Sequence, residues 1–165
     1  MNDGKLLWTA STGASIVASP SIRNGKVFVG SLDRNYYAFD ATTGKELWKQ
    51  SLGAMIYSSQ AVSDNCVYVG TSGGILYCLN AASGSIVWKA STNGGIGAAP
   101  LLSGNVVYVG YMDKTLSAYD AATGTVLWKY TVGGRIKSTP VASKQSLFLL
   151  VEDRTVMALK HGESK

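Results

Sequence analysis

The chain has 165 residues, 46% of them hydrophobic and 15% charged, with 19 glycines. That composition is globular, neither disordered nor collagenous, and the length suits one domain, residues 1–165, with a buried core. The net charge of +5 is spread thinly, without the continuous basic stripe that nucleic-acid binding needs, and no apolar run approaches the roughly 18 residues of a membrane helix.

In chain order, the start MNDGKLLWTAST has no basic region followed by an apolar stretch, so no secretory leader is expected in it. GKLLW (4–8) reads as a lone strand. SIVASPSI (15–22) is a second strand, running to the Asn24–Gly25 turn. KVFVG (26–30) and NYYAFD (35–40) follow, joined by Ser-Leu-Asp-Arg. ATTG (41–44) turns the chain into KELWKQ (45–50). The pattern then repeats every 40 residues, with Trp8, Trp48, Trp88 and Trp128, Ile16, Ile56, Ile96 and Ile136, and Gly4, Gly44, Gly84 and Gly124 in step. Gln60 takes the slot of Pro20, Pro100 and Pro140, and Leu150 that of Gly30, Gly70 and Gly110. Four short strands per 40-residue unit, with no helix signals, predict an all-β propeller of four-stranded blades. The last unit, from Val141, supplies three strands and no tryptophan. GKLLW is expected to complete it, either within one chain as a four-bladed ring or between two chains as an eight-bladed ring.

AFDATTGKELW (38–48) recurs as CLNAASGSIVW and AYDAATGTVLW. It reads as a blade-docking hairpin. Asp40 and Asp120 bond the turn backbone, Gly44, Gly84 and Gly124 take the left-handed position, and each tryptophan lies across a neighbouring blade. The phrase resembles the tryptophan-docking motif of the pyrroloquinoline-quinone (PQQ)-like repeat family over essentially the whole chain. Ala38, Asp40, Thr43, Gly44 and Trp48 match it, as do Ala118, Asp120, Thr123, Gly124 and Trp128, while blade two departs with Cys78, Asn80 and Ser83.

The resemblance implies blades in rings of eight, which favours a homodimer. It also implies a non-catalytic scaffold for protein or peptide partners, in an extracytoplasmic (periplasmic) setting, like the propeller of the outer-membrane protein assembly lipoprotein. The alternative it carries is a dehydrogenase binding PQQ with calcium and a catalytic aspartate. Such enzymes often have two adjacent cysteines, which this chain lacks, and its even 40-residue period leaves no long insertion to build their pocket. No cofactor and no enzymatic activity are therefore expected.

Other candidates are weaker. Arg34, Lys114 and Arg154 occupy equivalent loop positions on one rim, joined by Tyr57, Arg135 and Lys137, and such a rim suits an acidic segment or anion. The competing reading is local neutralisation by Asp33, Asp113 and Asp153. Glu152–Asp153 reads as a solvated turn and His161 as part of a polar tail. Thr-Gly-Lys at 43–45 lacks the rest of a phosphate loop. Cys66 and Cys78 fall on adjacent strands, opposite or one residue out of register, and read as two small thiols rather than a disulfide.

Overall fold

A computed structural model describes residues 3–160. It is all β. Blade one comprises β1 (Ser21–Arg23), β2 (Lys26–Gly30), β3 (Asn35–Asp40) and β4 (Glu46–Ser51). Blade two comprises β5 (Ala61–Val62), β6 (Cys66–Gly70), β7 (Ile75–Asn80) and β8 (Ile86–Ser91). Blade three comprises β9 (Leu101–Ser103), β10 (Val106–Gly110), β11 (Thr115–Asp120) and β12 (Val126–Thr131). Blade four has three strands, β13 (Val141–Ala142), β14 (Ser146–Val151) and β15 (Thr155–Lys160). Each blade is an antiparallel meander, and one bulge recurs between the third and fourth strands, at Ala38/Phe39, Cys78/Leu79 and Ala118/Tyr119.

The first strand of blade one is shorter than the sequence pattern suggests, because residues 15–20 belong to the connector rather than the sheet. The connectors are held from both sides. Leu32 N–H donates to Ser15 O at 3.0 Å, and this bond recurs from Ser72 to Met55, Met112 to Gly95 and Glu152 to Arg135. On the other side, Ile56, Ile96 and Ile136 donate their N–H groups to Ser31, Thr71 and Tyr111 of the preceding blade. Proline, with no N–H to donate to a ladder, ends the run at Pro20, Pro100 and Pro140. Gln60, in the remaining slot, turns its amide nitrogen back to Ser19 O at 3.2 Å and to Ser21 Oγ in blade one.

The core is a series of seams between blades. One face of blade one (Phe28, Tyr36, Ala38, Trp48) packs on Val67, Val69, Tyr77 and Leu79 of blade two, and the pattern repeats at the next two junctions. At each seam an isoleucine from the connector enters the space over a glycine. A Cβ built on Gly30, Gly70 or Gly110 would lie 2.4, 2.2 or 2.2 Å from Cγ2 of Ile56, Ile96 or Ile136.

The arc is open. Inner strands β1 and β5, β5 and β9, and β9 and β13 meet in turn, with no comparable contact between β13 and β1. Residues 4–8, expected to complete blade four, form no strand, and β15 has no outer neighbour among the described residues. Among the described residues no helix is long and apolar enough to cross a membrane.

Candidate functional site

The recurring hairpin is built from its first polar side chain. Asp40 Oδ1 accepts from Thr42 N, Thr43 N and Thr43 Oγ1, and Asp120 Oδ1 accepts the same set from Ala122 and Thr123. Those bonds close a tight turn whose last residue needs a left-handed backbone, met by Gly44, Gly84 and Gly124 at φ 73°, 75° and 73°. The indole of the preceding blade lies flat on that glycine. Trp8, Trp48 and Trp88 come within 2.5–2.6 Å of where a Cβ on Gly44, Gly84 or Gly124 would sit. Their Nε1–H groups donate to Ala41 O, Ala81 O and Ala121 O at 3.0, 3.3 and 3.0 Å. Trp128 is 37% exposed, against 9% for Trp48 and Trp88. By the 40-residue period its carbonyl and turn residue are His161 and Ser164, which lie outside the described residues.

The rim has a different organisation from the one its charges suggest. Arg34, Lys114 and Arg154 have φ of 72°, 72° and 74°, the same left-handed turn position that Gly74 takes at 75°. Among the described residues the three cations make no ion pair with the neighbouring aspartates. Asp33, Asp113 and Asp153 instead accept the N–H of the residue two further on, Asn35, Thr115 and Thr155, and so brace the turn. Burial pushes the Asp33 carboxyl up, but hydrogen bonds from Tyr37, Asn35 and Gly13 outweigh it and hold the group below its ordinary value.

Arg135 and Lys137 face Glu152 at 3.9 and 2.5 Å, and the Lys137 bond leads in holding Glu152 below the usual carboxylate range. These three residues, with Ser138, Leu150 and Val151, bound a cavity of about 230 Å³. Tyr57 lies apart from them, on an apolar cavity of about 290 Å³ lined with Ser72, Gly95, Ile96, Gly97 and Met112. Of the rim candidates, Arg135 and Lys137 line one cavity and Tyr57 the other, while Arg34, Lys114 and Arg154 line neither. Sequence reasoning missed the second, although its signal is present: Gly97 stands where other units carry Val17, Tyr57 or Lys137, and the missing side chain opens the space.

Cys66 and Cys78 are free. They are two residues out of register, since Cys66 faces Asn80 and Cys78 faces Tyr68. The β6–β7 ladder carries no bulge, so an uninterrupted count back from the 71–74 turn fixes the register. Burial, then the neighbouring Cys66, raises the Cys78 thiol well above its ordinary value, which keeps it protonated and inert.

The profile of one protein family, described as outer membrane protein assembly factor BamB, matches residues 1–55 and 37–164. No curated protein sequence matches the chain. Among solved structures, BamB from Moraxella catarrhalis superposes with a TM-score of 0.84 at 26% identity, over 94% of this chain and 50% of that one. The computationally designed Ika4 protein gives 0.87 at 20% identity, over 96% and 99%. Quinohemoprotein alcohol dehydrogenase from Comamonas testosteroni gives 0.74 at 19% identity, over 82% and 29%. The last two show likeness of fold alone. The chain spans half the length of the Moraxella catarrhalis protein it resembles.

Proposed function

The chain belongs to the family of the outer membrane protein assembly factor BamB, and from that membership we propose that it is a non-catalytic propeller scaffold for protein or peptide partners, working as a ring of two copies. The observation that carries the reading is the pair of unmatched ends. Blade four presents an outward sheet face with Phe148, Leu150 and Val156 exposed at 42%, 55% and 73%, where the equivalent residues of blades one to three are covered. At the other end, Trp8 is already seated on blade one and Gly4 keeps the left-handed φ of 61° seen in the other hairpins, though no third strand lies beside residues 4–8. The segment is shaped as an outer strand and waits for its neighbour.

Moving the β3 positions three 40-residue units forward onto β15, and the β4 positions one unit back onto residues 6–10, gives the pairing in the complex: Ala158 opposite Trp8, Val156 opposite Ala10 and Leu159 opposite Leu6 of the partner. Two such seams make a closed, two-fold ring with no free edge. The apolar cavity at Tyr57 and Met112 supplies the surface for a peptide, with the cations Arg135 and Lys137 at a separate site, and the family likeness favours an extracytoplasmic setting.

The dehydrogenase alternative draws on fold likeness only. Among the described residues no group of three or more His, Cys, Asp or Glu is placed to hold a metal ion. Light scattering over a dilution series tests the ring. The expected mass is twice that of the 17.4 kDa chain. A mass of one chain at every concentration sinks the two-copy reading, and saturable, calcium-dependent PQQ uptake sinks the non-catalytic one.

A further inference from the structure

A polar cavity of about 210 Å³ lies between blades two and three of a single chain, away from the seam that joins copies. Its origin is a change of residue type at one repeat position. Blades one and two carry Tyr37 and Tyr77 where blade three carries Ser117. The Tyr77 hydroxyl donates to Leu52 O in the connector at 3.0 Å, and the Tyr37 ring lies under the Lys49 ammonium at 5.3 Å. In blade three both partners remain in sequence, as Thr92 and Lys129, and the ring is gone.

Tyr111, in the slot of Ser31 and Thr71, returns some aromatic bulk, but its hydroxyl turns to Tyr119 at 2.6 Å rather than to the connector. Ser117 is fully buried, and its Oγ, although beside Tyr111, makes no hydrogen bond of sound geometry. A buried hydroxyl without a partner costs about 1–3 kcal/mol, and in a native fold it calls for a water, an ion or another polar group to satisfy it. Around it stand Tyr111, Thr92 and Asn93, with Asp113 and Lys129 at the exposed mouth. Asp113 and Lys129 do not pair with one another.

We propose that this cavity binds a small neutral polyol of monosaccharide size. The lining mixes donors and acceptors, as vicinal hydroxyls require, each being both at once. Lys129 and Asn93 donate, Asp113 accepts, and Ser117 does either. The mouth carries one charge of each sign, which disfavours a simple anion or cation. The volume falls below that of pockets for drug-sized ligands and suits a compact molecule.

The test titrates the full chain with glucose, galactose, arabinose and myo-inositol, by calorimetry and saturation-transfer NMR, with p-cresol as an aromatic control. At least one polyol is expected to saturate, with a dissociation constant on the order of 1 mM. The double variant Ser117→Tyr with Tyr111→Thr transplants the blade-two pair and fills the cavity, and Lys129→Met removes an exposed donor without touching the core. Each is expected to weaken binding at least tenfold. Three results overturn the proposal: no saturation at tenfold higher ligand, affinity unchanged in Lys129→Met, or saturation by p-cresol alone. None of them bears on the two-copy ring, which light scattering reads separately.

Discussion

Asp40, Asn80 and Asp120 perform the same task with different chemistry. Each uses one oxygen to accept two backbone N–H groups and a hydroxyl from the following turn, in blade two from Ala82, Ser83 and the Ser83 hydroxyl. Only the aspartates titrate. The Thr43 side chain leads in lowering the Asp40 carboxyl, and the Thr123 backbone N–H leads for Asp120. A carboxylate whose folded value lies below its unfolded value, about 4, stabilises the fold fully above that pH and stops doing so as pH falls through the folded value. The double variant Asp40→Asn with Asp120→Asn should therefore resemble the parent near neutrality and lose less stability below about pH 4. Urea midpoints measured from pH 7 to pH 2 check this, and an acid limb as steep as the parent's refutes it.

At the scale of strands and connectors, the sequence carried most of the architecture because the scaffold positions recur at one period. The second and third strands of blade one fall where their β-branched and aromatic runs place them, at Lys26–Gly30 and Asn35–Asp40. Residues 15–20 were misplaced because a small, apolar connector and a buried strand look alike in composition; what separates them is the bonding of the connector to two blades, which a linear pattern does not show. The backbone role of the rim turns is hidden for a related reason. A basic residue at 34, 114 or 154 signals charge, yet what Gly74 shares with those positions is the left-handed backbone.

The glycine-and-isoleucine seat was visible as two aligned columns, and only the structure shows that they meet. Ile96 leaves no room over Gly70, and its neighbours are packed on all sides. Gly70→Ala is expected to cost about 1–3 kcal/mol by overpacking, and the conservative trim Ile96→Val should recover part of that loss in the double variant. Chemical denaturation of the four proteins of this cycle measures the coupling, and strictly additive losses would show that the two residues do not share the seat.

For the whole molecule, the seam of the proposed two-copy ring differs from the three seams within a chain. Ile56, Ile96 and Ile136 are at most 1% exposed over their glycines, while Ile16 is 46% exposed and its counterpart across the ring is Leu150. Since even a Cβ at the internal seats falls within 2.2–2.4 Å of the isoleucine, a leucine excludes the same approach. In the proposed ring the copies would therefore meet in a shifted and weaker arrangement, with Leu150 and Ile16 side by side rather than one beneath the other. Leu150→Gly empties the seat. Because Leu150 is more than half exposed in the single chain, its removal leaves the blade core in place. The dissociation constant of the dimer is expected to fall about tenfold or more, a gain of at least about 1.4 kcal/mol, whereas Leu150→Glu should drive the protein to single chains by placing a charge in an apolar seam. Sedimentation over a dilution series reads both. If Leu150→Gly loosens the dimer instead, leucine itself supplies the contact and the seam is built on its side chain.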